Sequence, residues 1–119
     1  MAYRQVIGAT GEEFVARHLQ SEGCTILDRN WRIRGGEIDL IAAAPSGLII
    51  FVEVKTRSST KFGDPLEAIT AKKAARIQRL ALGWLSSHSR FGSDFRIDCA
   101  AVLLQPNGEM NLDYRRAVL

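Results

Sequence analysis

The strongest constraint on the fold is a pair of strand-like segments joined by a short turn. Residues 37–43 begin with alternating polar and apolar residues, and residues 48–55 are rich in β-branched and aromatic side chains. Both patterns are typical of β-strands. Pro45, Ser46 and Gly47 between them have the composition of a turn. The two segments therefore predict an antiparallel hairpin.

The register of this hairpin brings charged residues together. Glu53 and Lys55 are two positions apart, so their side chains leave the same face of one strand, and Glu37 and Asp39 share a face of the other. With the turn centred on Ser46, residues equidistant from it lie opposite one another. We therefore expect Asp39 opposite Glu53, and Glu37 opposite Lys55.

Two carboxylates facing each other across a hairpin repel, at a cost of roughly several tenths of a kcal/mol. A divalent cation such as Mg²⁺ removes this conflict, because it binds one or two carboxylates together with water and substrate phosphate. An ammonium beside it can orient water or stabilise charge on a phosphate. The alternative interpretation is a solvated sheet face on which Glu37 and Lys55 form a surface ion pair of little consequence.

The flanking segments predict an α/β fold. Thr10 and Glu13 form a capping-box pattern, which predicts a first helix beginning at Thr10 and ending before Gly23. A strand is expected over residues 24–33. Residues 64–88 have helical periodicity, which Thr70 can interrupt. Two further strands are expected, over residues 95–104 and through Met110, Leu112 and Tyr114. The whole chain, residues 1–119, then forms one domain with a mixed sheet flanked by helices.

The composition excludes several other classes of protein. Apolar residues make up 46% and charged residues 24%, which is ordinary for a globular protein. No apolar run approaches the roughly 18 residues that span a bilayer, and the N-terminus lacks a secretory signal. We therefore expect a cytoplasmic protein without a membrane partner, in which Cys24 and Cys99 are reduced thiols.

Two sequence motifs resemble a known nuclease signature. The segments GEIDLI (residues 36–41) and VEVKTR (residues 52–57) resemble the PD-(D/E)xK motif, an acidic residue on one strand followed by Glu-x-Lys on the next. Over roughly residues 8–116 the chain resembles the YraN-like family of bacterial proteins, which are related to Holliday-junction resolvases. One departure is that no proline precedes Asp39.

This resemblance implies a restriction-endonuclease-like core of helix, three strands, helix and strand. It implies a Mg²⁺- or Mn²⁺-dependent endonuclease that hydrolyses DNA, branched or structured DNA included, and that works as a homodimer. Asp39 and Glu53 match the metal ligands, and Lys55 matches the catalytic lysine. Glu12 matches an acidic residue that supports the metal directly or through water. Its alternative role is a favourable charge in the first helical turn.

Basic residues near these acids suggest a polyanionic partner. The net charge of +3 permits nucleic acid without requiring it, so the distribution of charge matters more. Arg34 and Arg57 flank the predicted site, and Lys72, Lys73 and Arg76 form a basic stripe on the second helix. The alternative is that these side chains merely solvate the outer surface.

Two rival functions remain open at the level of sequence. One is a non-catalytic nucleic-acid-binding or adaptor protein that retains the nuclease fold. The other is an assembly module that acts through the apolar fifth strand. The intact set of Asp39, Glu53 and Lys55 favours the nuclease, because a site that had lost its activity would usually have lost a member of the set. DNA is favoured over RNA as the substrate.

Overall fold

A computed structural model of the chain describes residues 3–58 and 70–119, with side chains from Gly8 onward. The order of elements is helix, three strands, helix and two strands, which confirms the predicted order and the core implied by the resemblance. The elements are α1 (Tyr3–Ser21), β1 (Thr25–Ile33), β2 (Gly36–Ala43), β3 (Ile49–Arg57), α2 (Ala71–Ser87), β4 (Phe95–Leu104) and β5 (Met110–Arg115).

The five strands form one mixed sheet in the order β1-β2-β3-β4-β5. β3 and β4 are parallel, and the other neighbouring pairs are antiparallel. A parallel pair requires a crossover connection, and the chain passes through α2 between these two strands. The predicted α/β class with a mixed sheet and flanking helices is confirmed.

The helices cover opposite faces of the sheet, so that each face has its own hydrophobic cluster. The α1 cluster contains Val15, Ala16 and Leu19 from the helix, with Leu40, Ala42, Ile50, Val52, Ala100 and Val102 from the sheet. The α2 cluster contains Ile77, Leu80, Ala81, Trp84 and Leu85, with Ile38, Ile41, Ile49, Phe51 and Ile97. Because both faces of the central strands are buried, their sequences are almost continuously apolar.

The predicted hairpin register is confirmed where the strands pair. Leu40 lies opposite Val52 and Ala43 opposite Ile49, each pair equidistant from Ser46. The turn before β2 also forms as predicted. Gly35 has a φ of 103°, in the region that favours glycine, and lets β1 reverse into β2.

The predicted start of the first helix is wrong. α1 begins at Tyr3 and continues through Thr10, so Thr10 is an interior residue and not a cap. Gly11 is buried inside this helix, and a Cβ built there would lie 1.8 Å from Thr56 Oγ1 and 2.9 Å from Thr56 Cβ. The helix thus approaches the end of β3 so closely that only glycine fits, and this contact outweighs the low helix propensity of glycine.

The expected interruption at Thr70 is confirmed, because Thr70 is the N-cap of α2. Its backbone is extended, and its hydroxyl accepts a hydrogen bond from the backbone N–H of Lys73 at 3.2 Å. The predicted helical residues 64–69 lie outside the described part of the chain. The face of α2 that carries Trp84 is buried as the periodicity predicts.

A buried carboxylate links β4 to β5 and the C-terminal segment. Asp98 is fully buried and accepts hydrogen bonds from Arg96 Nε at 2.9 Å, from the Tyr114 hydroxyl, and from the Ala117 backbone N–H at 2.9 Å. Burial and the hydrogen bond to Asp98 raise the pKa of Tyr114, which therefore remains a donor. Each oxygen of this carboxylate has at least one partner.

Two further expectations concern the thiols and the membrane. Cys24 and Cys99 are free cysteines, as the sequence predicts. Within residues 3–58 and 70–119, neither helix is both long and apolar enough to cross a membrane.

Candidate active site

The site lies where the regular pairing of β2 with β3 ends. The ladder runs from the turn up to the Leu40–Val52 pair. At the next residue, the Asp39 carboxylate accepts a hydrogen bond from the Val54 backbone N–H at 2.8 Å. Ile38 packs in the α2 cluster although Leu40 packs in the α1 cluster, so the alternation of faces is interrupted at Asp39. The interruption turns the Asp39 carboxylate toward β3.

The neighbouring strand is irregular at the same level. In the β1–β2 register Arg29 faces Leu40 and Trp31 faces Ile38, which places Asn30 opposite Asp39. Asn30 has a φ of 49°, a left-handed conformation that is unusual within a strand. Backbone conformations of this kind cost free energy and are concentrated at functional sites.

A cavity of about 580 Å³ opens at this irregularity, on the face of the sheet that α2 covers. The residues predicted to be catalytic, Asp39, Glu53 and Lys55, all line it. Lys73 and Arg76 of α2 form the opposite wall. The remaining lining residues are Arg32, Ile33, Gly36, Glu37, Val54, Ile77 and Leu80.

Two carboxylates of the cavity, those of Asp39 and Glu53, have raised pKa values. Burial raises the pKa of Glu53 to about 7, and the negative charge of Asp39 contributes to the rise. Burial also raises the pKa of Asp39, although the hydrogen bond from Val54 opposes this. Burial therefore disfavours the ionised form of both acids, and the nearby lysines and the Val54 N–H compensate for it only in part.

Lys73 lines the cavity, although the sequence predicts it only as part of the basic stripe of α2. Its side chain is half-buried and lines the same cavity as Lys55. Burial and the charge of Lys55 lower the pKa of Lys73. A lysine at the third position of a helix carries no sequence signal of this role, because the position of its side chain depends on how the crossover places α2.

The other two acidic residues differ from the carboxylate pair, since Glu37 lines the cavity as a partner of Arg32 and Glu12 does not line it. Glu37 forms an ion pair of 2.7 Å with Arg32 in place of the pair with Lys55 that the sequence allowed. Glu12 lies on α1 and is not among the residues that line the cavity. Burial, and next the charge of Asp39, raise the pKa of Glu12, while a hydrogen bond with Asn30 lowers it. Glu12 is thus close enough to Asp39 to influence it electrostatically.

The predicted nucleic-acid contacts occupy three places. Lys73 and Arg76 line the cavity of the carboxylates, and both also line a neighbouring cavity of about 340 Å³ together with Lys72. Arg34 is exposed in the turn between β1 and β2, and Arg57 is the last residue of β3. The second cavity is completed by Thr70 and Arg79.

The donor set can be tested against the implied divalent cation. Within the described residues, no group of three or more histidine, cysteine, aspartate or glutamate side chains is arranged to hold a metal. Asp39 and Glu53 supply two carboxylates beside an open cavity. Mg²⁺ characteristically takes one or two carboxylates and completes its shell with water and substrate phosphate. The pair therefore fits Mg²⁺ or Mn²⁺, whereas the predicted third ligand, Glu12, stays a prediction.

Comparison with known sequences gives one family. The model of "Uncharacterised protein family UPF0102" matches residues 11–102. The UPF0102 protein of Frankia alni is 45% identical over 116 residues, covering 98% of this chain and 96% of that protein. The UPF0102 protein of Beutenbergia cavernae is 45% identical over 118 residues, covering 99% of each.

Two solved structures are similar at low identity. A repair endonuclease from Pyrococcus abyssi has a TM-score of 0.47 and 19% identity, over 85% of this chain and 38% of that one. The SfsA protein of Pyrococcus furiosus, in complex with Ca²⁺, has a TM-score of 0.45 and 16% identity, over 95% of this chain and 63% of that one. Both TM-scores are below 0.5, and neither likeness bears on function.

Proposed function

Since the chain belongs to the UPF0102 family, we propose a function from its own cavity: a metal-dependent endonuclease that hydrolyses phosphodiester bonds in DNA. The observation that carries the proposal is the meeting of Asp39, Glu53 and Lys55 in one cavity. A strand irregularity places two poorly compensated carboxylates beside an ammonium, an arrangement that folding alone does not favour. Substrate binding supplies a reason for it.

Asp39 and Glu53 would hold Mg²⁺ or Mn²⁺ between β2 and β3. When bound, such an ion neutralises phosphate charge and acidifies a coordinated water. The hydrogen bond from Val54 fixes the Asp39 carboxylate, so one ligand is oriented before the metal arrives. Burial of Glu53 raises its affinity for any cation, proton or metal, that relieves the buried charge.

Lys55 would donate hydrogen bonds to the attacking water or to the phosphate oxygen on which charge develops. In the reaction, the water oxygen forms a bond to phosphorus while the bond from phosphorus to one ester oxygen breaks. The water loses one proton, and the departing alcohol gains one. An ammonium in a half-enclosed cavity stabilises this charge more than it would in water.

Basic residues around the opening suit a polyanionic strand. Arg76 and Lys73 form the α2 wall, Lys72 lies in the neighbouring cavity, and Arg34 is exposed in the nearby turn. Such contacts with phosphates position a nucleic acid without selecting its sequence. The choice of DNA over RNA and the homodimer implied by resolvase-like relatives are part of the proposal.

The direct test is cleavage by the purified protein. Plasmid and branched DNA substrates should be cut with Mg²⁺ or Mn²⁺ present, and chelator should stop the reaction. Asp39→Ala and Lys55→Ala should both abolish cutting. Asp113→Ala is a control, since Asp113 is an exposed acid of β5 that pairs with Arg115 and does not line the cavity. Undiminished cleavage in both cavity variants would show a contaminant and overturn the proposal.

A second candidate function is nucleic-acid binding without catalysis. It is favoured by the neighbouring cavity, whose lining within the described part of the chain consists of Thr70 and basic side chains. This function predicts salt-sensitive binding that is indifferent to chelator and to Glu53→Ala. Band-shift measurements with and without chelator separate the two candidates.

A further inference from the structure

We propose that Lys73 is a second catalytic lysine of this cavity, whose ammonium contacts a non-bridging oxygen of the scissile phosphate. Lys55 then serves the attacking water, and the two lysines divide the work between nucleophile and phosphate. This inference rests on the proposed nuclease function. It gives Lys73 a role in the reaction, whereas the sequence predicts only that Lys73 contacts nucleic acid.

The position of Lys73 is set by the start of α2. Its backbone N–H donates to the Thr70 hydroxyl in the N-cap, which fixes the backbone from which the side chain extends. The residue lines the cavity together with Asp39, Glu53 and Lys55. Lys73 is half-buried, whereas the adjacent Lys72 is exposed. Lys73 thus belongs to the wall of the cavity, whereas Lys72 does not.

Lys73 also faces the carboxylates. It lines the same cavity as Asp39 and Glu53, so its positive charge lies near both acids. The ammonium of Lys73 is therefore a direct electrostatic neighbour of both proposed metal ligands. From the α2 wall, Lys73 would meet a phosphate that enters the cavity.

The balance of charge indicates when this ammonium acts. With metal bound, Asp39 and Glu53 are ionised, and their two negative charges are cancelled by Lys55 and Lys73. Arg32 and Glu37 balance each other, so a bound divalent cation and Arg76 would leave the cavity with a net positive charge. A phosphodiester carries one negative charge in the ground state and gains a second as water attacks. The centre with both lysines thus complements the transition state more than the substrate.

Lys72 is the natural control for Lys73. The two lysines are adjacent in sequence and in the same turn of α2, but Lys72 lines the neighbouring cavity and not the one that holds the carboxylates. A change at Lys72 removes the same charge from the same helix without touching the proposed reaction centre. Differences between the two variants report position alone.

The experiment compares Lys73→Met and Lys72→Met with the wild type by steady-state cleavage of a short duplex in Mn²⁺. Lys73→Met should lower kcat by about 100-fold, the usual effect of losing one group that stabilises transition-state charge. Lys73→Arg should recover part of the rate. The effect of Lys72→Met should fall on KM, because it loses only uniform binding of the phosphate backbone.

A Mn²⁺ titration without substrate gives a second readout. Lys73→Met should bind Mn²⁺ more tightly than the wild type, because an ammonium that repels the ion is gone, and Lys72→Met should change the affinity less. Unfolding midpoints verify that both variants fold.

The outcomes separate the two proposals. If the wild type cleaves and Lys73→Met changes KM alone, as Lys72→Met does, Lys73 only holds substrate and the inference is overturned while the nuclease stands. A wild type that cleaves no nucleic acid with any divalent metal overturns the proposed function, and this inference with it.

Discussion

The sheet holds carboxylates in two very different environments, on neighbouring strands. Asp98 of β4 is fully buried, yet it accepts hydrogen bonds from a guanidinium, a phenol and a backbone N–H. Asp39 and Glu53 are less buried. Asp39 accepts a hydrogen bond from the Val54 backbone N–H, and burial and the charge of Asp39 raise the pKa of Glu53.

The difference shows that burial alone does not identify a functional acid. A buried carboxylate with every oxygen satisfied stabilises the fold around it. A half-buried pair of acids whose negative charge is only partly compensated can be stabilised by a bound cation. Mutations at the two places should therefore have opposite effects on stability and on activity.

The largest expected effect is that of Asp39→Asn on cleavage. Removing one of the two carboxylates should lower kcat/KM by about 1000-fold or more, on the order of 4 kcal/mol. Mn²⁺ binding, followed by calorimetry, should weaken in parallel, while the free energy of unfolding without metal should hold or rise. A variant that lost stability and kept its metal would place Asp39 in the same class as Asp98.

The next effect is that of Asp98→Ala on stability. It leaves Arg96 and Tyr114 without their shared acceptor, and breaking such a buried pair costs about 3 kcal/mol in free energy of unfolding. Urea denaturation measures the loss, with Asp113→Ala as the exposed control. Molecules that remain folded should cleave normally, so a lost kcat in the folded fraction would contradict a purely structural role.

A smaller effect is expected in the pH dependence of stability. The folded-state pKa of Glu53, about 7, lies above its ordinary value of 4.5, so between these values the folded protein binds more protons than the unfolded chain. Stability without metal should therefore fall as pH rises from about 4.5 to about 7 and then level off. Burial raises the pKa of Glu53 most, the charges of Asp39 and Glu37 add to the rise, and those of Lys73 and Lys55 oppose it.

Glu53→Gln should flatten that profile and raise the melting temperature at pH 8 by several degrees, since it removes a negative charge that is only partly compensated. Thermal unfolding in chelator, from pH 4.5 to 8, measures it, with Asp113→Asn as control. Added Mg²⁺ should stabilise the wild type more at pH 8 than at pH 5, because the ion competes with the proton. Parallel profiles for wild type and Glu53→Gln would show that Glu53 is already compensated.

The smallest effect is expected for Arg32→Ala at the mouth of the cavity. Its partner Glu37 and Arg32 itself are 48% and 73% exposed, so the ion pair is screened by solvent. Chemical denaturation should show a loss of no more than about 0.5 kcal/mol. A loss above about 1 kcal/mol would mean that this pair supports the cavity wall as Asp98 supports β4.

The sequence predicts the hairpin because two independent signals agree on it. The turn around Ser46 sets which residues pair, and the apolar alternation sets which face is buried, so a slip of one residue would expose the core. This is why the sequence predicts that Asp39, Glu53 and Lys55 lie close together. The interruption at Asp39 and the left-handed Asn30 could not be predicted, because a local irregularity leaves no periodic signal.

Contacts between distant elements account for the remaining errors. The sequence predicts Lys73 only as a nucleic-acid contact on the stripe of α2, because helical spacing cannot tell which side of α2 faces β3. The start of α1 was placed at Thr10 because a capping box and nearby glycines usually mark a boundary. At Gly11 the packing partner is Thr56, 45 positions further along the chain, and no local pattern reports it.

At that glycine, α1 packs against the end of β3 without room for a side chain. Thr56 directly follows Lys55, so a single methyl group at position 11 would act as a wedge between α1 and the strand that carries the cavity lysine. Gly11→Ala alters no charge and no donor, yet it should push Thr56, and with it the neighbouring Lys55, away from α1. The position of a proposed catalytic lysine therefore depends on a residue without a side chain.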